Sequence, residues 1–99
     1  MKTLNEIKTQ LEQLKPILEQ KYQVETIGVF GSYSRKEQKS NSDIDILVTF
    51  TEPNDIDLID FIEIKQFLSR SLKLKVDLVK KNALKPIIRE KILEETTYI

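Results

Sequence analysis

Residues 28 to 48 read Gly28-Val29-Phe30-Gly31-Ser32-Tyr33-Ser34-Arg35-Lys36-Glu37-Gln38-Lys39-Ser40-Asn41-Ser42-Asp43-Ile44-Asp45-Ile46-Leu47-Val48. The stretch divides into an apolar strand end, a Gly-Ser turn, a basic polar segment and a second strand opened by two aspartates. Side chains alternate along a strand, so Asp43 and Asp45 share one face while Ile44, Ile46 and Val48 share the other. Two neighbouring carboxylates repel each other and lose hydration on burial, which makes a purely structural role for the pair costly. A divalent cation reverses that balance. Hard oxygen ligands on a rigid strand suit magnesium, whose remaining positions are filled by water and substrate phosphate. The turn at Gly31 and Ser32 offers backbone N–H groups and a hydroxyl of the kind that hold phosphate. The combination points to a metal-dependent site for a nucleoside triphosphate.

Working outward, the spacing of Leu4, Ile7, Leu11, Leu14, Leu18 and Tyr22 predicts an amphipathic helix over 3–22, capped by Thr3 and kinked at Pro16. Val24 to Phe30 is the first strand. The only two glycines, Gly28 and Gly31, bracket its end, where close backbone approach or a positive φ is needed. A helical turn through Arg35 and a polar loop over 36–42 lead to a second strand from Asp43 to Phe50. After a break at Pro53, residues 55–72 predict a long helix with Asp55, Asp57 and Asp60 at its positive end. Its apolar residues cover more than one face, which suits either a central core helix or a surface that meets another chain. Leu74 to Val79 is a third strand with Asp77 at its middle, and a last helix begins at Pro86.

Strands joined through helices imply an α/β (α+β) fold: one domain over 1–99, with a small mixed sheet of about three strands packed by helices on one face. If the second and third strands are neighbours, Asp77 joins Asp43 and Asp45 on the open face.

The composition narrows the chemistry. Lysine and arginine number 16, as do aspartate and glutamate, and this balance argues against direct nucleic-acid binding. Cysteine and histidine are absent, which removes disulfides, thiolate or imidazole zinc ligands and the commonest general base. Carboxylates, hydroxyls, lysine, arginine and metal are left. No apolar run approaches the roughly 18 residues of a membrane span, and the N-terminus does not read as a signal peptide; a cytoplasmic location is expected. The glycines needed for a Walker loop or a dinucleotide fingerprint are missing.

Gly31-Ser32, ten intervening residues, Asp43-Ile44-Asp45 and the later strand aspartate Asp77 together resemble the signature of the DNA polymerase β-type nucleotidyltransferase superfamily. Gly-Ser-Tyr-Ser-Arg resembles its Gly-Ser-x-Ala-Arg-Gly, and Ser42 to Val48 resembles its Ser-Asp-x-Asp-Leu-x-Val. The size, the Val-Asp-Leu-Val strand and the Leu-Lys-Pro before the last helix resemble the minimal nucleotidyltransferase (MNT) branch. Two positions depart from the pattern: Ser34 stands for its alanine and Lys36 for its glycine.

The resemblance implies a nucleotidyltransferase fold and a residue-by-residue assignment. Asp43, Asp45 and Asp77 are the catalytic residues and the ligands of two Mg2+ ions. Gly31, Ser32 and Arg35 hold the phosphates of ATP, the substrate. It further implies an antitoxin that transfers AMP to a tyrosine hydroxyl of a HEPN-type RNase toxin encoded beside it. The competing expectation is a module that neutralises the same partner by contact alone, with the site vestigial.

Overall fold

The computed structural model describes residues 2–99. The first helix, α1, spans Leu4–Tyr22, and the Thr3 hydroxyl caps it by accepting from the Glu6 N–H at 3.2 Å. The apolar stripe does what its spacing requires: Ile7, Leu11, Leu18 and Tyr22 are buried. Pro16 lies inside the helix and the helix continues through it. Its ring is exposed and deprives only one carbonyl of a partner, a loss the helix accommodates. Gln23 ends the helix in the left-handed conformation, at φ 58°.

Strand β1 (Val24–Phe30) runs antiparallel to β2 (Ile44–Phe50), with Ile27 opposite Val48, Val29 opposite Ile46 and Phe30 opposite Asp45. Helix α2 covers Leu58–Leu72, three residues shorter at its start than the acidic run suggests. The reason is a capping box: Asp57 accepts from the Asp60 N–H and Asp60 from the Asp57 N–H, fixing the first turn at Leu58. Strand β3 (Val76–Lys80) then lies parallel to β2, and a short 3₁₀ turn (Lys81–Ala83) leads to α3, Pro86–Glu95.

The sheet has four strands, in the order β3-β2-β1-β4, rather than about three. The extra strand, β4, is Thr97–Tyr98, paired antiparallel to Gly28 and Val29. Two residues are too few to leave a period in the sequence. Its approach explains one glycine: a Cβ on Gly28 would lie 2.5 Å from Thr96 Cγ2 and 3.2 Å from the Thr97 carbonyl oxygen.

One face of the sheet carries the core. Ile27, Val29, Ile44, Ile46, Val48 and Val76 pack against Ile7, Leu11 and Leu18 of α1 and Ile64, Leu68 and Leu72 of α2. Each fully buried aliphatic side chain contributes on the order of 1.5–3 kcal/mol. Helices α1 and α2 thus cover one face, as expected. Helix α3 does not join them; it buries none of its residues, and Ile88 and Ile92 instead face Phe30 and Asp45 across the other side of the sheet. Among the described residues, no helix is long and apolar enough to cross a membrane.

Candidate active site

The site forms where the end of β1 and the starts of β2 and β3 meet on the face away from the core. The parallel register of β2 and β3 places Asp45 beside Asp77. Both side chains alternate with core residues (Ile44 and Ile46 for one, Val76 and Leu78 for the other), so burying those four turns both aspartates to the open face. Asp45 is half-buried, and its carboxyl is pushed up from the ordinary 3.8 to about 6. Burial is the main cause, followed by the charge of Asp77 and a hydrogen bond with it, then the charge of Asp43.

Asp43 stands one residue before β2 and is exposed, with Lys75 Nζ 4.0 Å from its Oδ2. An ion pair that long between exposed groups is weak. Asp43 therefore acts on the pair through its field, and Asp45 and Asp77 form the close contact. Among the described residues, no three acidic side chains are gathered tightly enough to make a ready metal cage. The donor set nevertheless fits a hard cation. Carboxylates are the preferred ligands, and a raised carboxyl pKa between like charges is the penalty that a bound cation removes.

The Gly-Ser turn follows directly on β1. Residues 31–36 form successive turns, with the Arg35 N–H donating to the Gly31 carbonyl (3.1 Å) and the Glu37 N–H to the Ser32 carbonyl (2.8 Å). Gly31 has φ 74°, and a Cβ placed there would lie 2.1 Å from Asp45 Oδ2. The backbone of the turn and the carboxylate of β2 thus approach more closely than any side chain permits. Lys36, where the resembling motif has glycine, keeps a glycine-like φ of 60°, so the loop retains its course at the expense of backbone strain. Ser34 uses its extra oxygen: it donates to the Glu95 carbonyl and lies 3.1 Å from the Thr97 hydroxyl.

Arg35 is engaged twice. Its Nε donates to Glu37 (3.0 Å) and its Nη1 to both oxygens of Glu95 (3.2 Å each), and these bonds, Glu37 first, raise its pKa. Glu95 Oε1 also accepts the Gly31 N–H at 3.1 Å. The sequence left Glu95 unnoticed, because it belongs to no motif and its partners lie 60 or more residues away. A cleft of about 410 Å³ opens between the turn and α3, lined by Gly31, Ser32 and Arg35 with Asp45 on one side and Ile88, Lys91, Ile92 and Glu95 on the other.

Comparison with known proteins converges on one family. The family model of the nucleotidyltransferase domain matches residues 11–99. Protein adenylyltransferase MntA of Thermococcus cleftensis is 46% identical over 100 residues, covering 100% of this chain and 98% of that protein. A solved candidate minimal nucleotidyltransferase superposes with a TM-score of 0.81 at 30% identity, covering 97% of this chain and 95% of that one. A chain of the re-refined complex between tri-AMPylated Shewanella oneidensis HEPN toxin and its MNT antitoxin gives a TM-score of 0.59 at 27% identity, covering 90% of this chain and 69% of that one. The chain belongs to the nucleotidyltransferase family, in its minimal branch, and is a nucleotidyl-transferring enzyme.

Proposed function

We propose that the protein transfers AMP from ATP to a tyrosine hydroxyl of a HEPN-type RNase toxin and so acts as its antitoxin. The observation that carries the reading is that Asp45, paired with Asp77, reaches the Gly31 backbone and lines one cleft with Gly31, Ser32 and Arg35. The name of the T. cleftensis relative and the partner in the S. oneidensis complex support the acceptor class.

Asp43, Asp45 and Asp77 would hold two Mg2+ ions, which supply charge neutralisation for the triphosphate and for the departing pyrophosphate. The chain's own groups do the positioning. The N–H groups of the turn and the Ser32 hydroxyl grip the β- and γ-phosphates, and Arg35 adds a charge-assisted contact. Asp77 lies on the acceptor side and takes the tyrosine proton. The tyrosine oxygen bonds to the α-phosphorus as the bond to the pyrophosphate oxygen breaks. Ile88 and Ile92 provide an apolar wall on which a base or ribose can rest. On the outer side of α2, Leu58 (72% exposed), Ile59 (76%) and Ile62 (45%) give the partner a surface to dock on.

One observation favours the contact-only reading: Arg35 is already occupied by two carboxylates. The test separates the two. The protein, labelled ATP, magnesium and the toxin encoded beside it are mixed, and label on the toxin is followed with its RNase activity. Transfer lost in an Asp43→Ala, Asp45→Ala double variant, together with loss of toxin inhibition, supports the enzyme. Full inhibition by the double variant, without transfer by the wild type, overturns it.

A further inference from the structure

The groups proposed to hold the triphosphate are already partly held by an acid from the other wall of the cleft. The Glu95 carboxylate accepts the Gly31 N–H and takes Arg35 Nη1 on both oxygens, while its side chain is only 18% exposed. With Glu37 on Nε, the single positive charge of Arg35 faces two negative ones, a trio of net charge −1. Such a trio repels a triphosphate rather than attracting it. Glu95 also stands where its own helix disfavours it. It is the last residue of α3, where the helix dipole is negative, and no basic residue occupies that turn. Its placement is therefore maintained by the contacts to the turn and to Arg35.

We propose that Glu95 sets the affinity of the nucleotide site by competing with the triphosphate for the Gly31 N–H and the Arg35 guanidinium. This inference rests on the nucleotide reading above. Entry of a triphosphate requires the carboxylate to give up both donors. Lys91, one helical turn back on α3 and lining the same cleft, is within reach as an alternative partner for the released carboxylate. Helix α3 buries none of its residues, so little packing opposes that movement of the side chain.

The experiment measures binding of the α,β-methylene analogue of ATP, with magnesium, to wild-type protein and to Glu95→Gln, Glu95→Asp and Glu94→Gln. Losing one charge-assisted contact to Arg35 frees it for the phosphate, so Glu95→Gln is expected to bind about tenfold more tightly. Glu95→Asp keeps the charge but shortens the reach, and an intermediate gain is expected; it also serves if Glu95→Gln fails to fold. Glu94→Gln, the same charge change on an exposed neighbour, is expected to leave affinity within about twofold of wild type. Equal or weaker binding by both Glu95 variants, with wild type binding the analogue, overturns the competition and leaves the nucleotide reading standing. A gain in Glu94→Gln as large as in Glu95→Gln also overturns it, since the effect is then one of overall charge. Absence of binding by every protein, wild type included, overturns both.

Discussion

Replacing Asp45 with asparagine should make the protein more stable at neutral pH. The wild-type carboxyl has a folded pKa of about 6 against an ordinary 3.8, raised by burial and by Asp77 and Asp43. A carboxyl whose folded pKa is raised carries no penalty while it is protonated in both states, below about pH 4. The penalty grows as pH rises through 4 to 6 and is complete above the folded pKa. The full shift corresponds to at most about 3 kcal/mol. Asp45 is only half-buried, so solvent screening reduces this to about 1 kcal/mol. In a domain of this length, that amounts to a rise of about 4–8 °C in melting temperature. The assay is thermal unfolding of both proteins with chelator, at pH 7.5 and at pH 4. Asp45→Asn should melt higher at pH 7.5 and level with wild type at pH 4. Magnesium with the ATP analogue should then raise the wild type and leave the variant unmoved. Equal melting at pH 7.5, or the same advantage at both pH values, refutes the claim that Asp45 is strained by its acidic neighbours.

Other substitutions test other parts of the argument. Lys36→Gly removes left-handed strain at φ 60° and should stabilise by about 0.5–1 kcal/mol after the added chain entropy is offset, as read by denaturant midpoint. Gly31→Ala should destabilise by more than about 2 kcal/mol and abolish transfer, because the methyl group lands on Asp45 Oδ2. Leu68→Ala, at a fully buried core position, should lose about 2–5 kcal/mol by urea unfolding. A Leu58→Asp, Ile59→Asp pair should change stability by less than about 0.5 kcal/mol per site yet weaken co-purification with the proposed toxin partner at least tenfold.

Periodicity identified the elements whose apolar residues face the core. The stripe from Ile7 to Tyr22, the alternation through Ile44, Ile46 and Val48, and Val76 flanking Asp77 each mapped onto the element expected. Alternation assigns Asp45 and Asp77 each to a face without a structure, but their meeting depended on β2 and β3 being neighbours, a condition the parallel pairing supplies. What escaped lies in contacts with no local period. Thr97 and Tyr98 pair with β1 through backbone groups, on which side-chain pattern has no purchase. Glu95 meets Gly31 and Arg35 only because α3 turns back over the far face of the sheet. The start of α2 differs from the expected one for another reason: acidic residues near a helix N-terminus are favourable at several positions, and only the reciprocal bonds of Asp57 and Asp60 single out one.

The parallel ladder between β2 and β3 makes the chemistry sensitive to spacing as well as to identity. Sliding β3 by a single rung would exchange Asp77 for a branched aliphatic side chain on the reactive face and bury a carboxylate among Ile64 and Leu68. The connection from Leu72 to Val76 therefore has to keep its length, whatever residues compose it. One amino acid added or removed between α2 and β3 should be more damaging than several exchanged there.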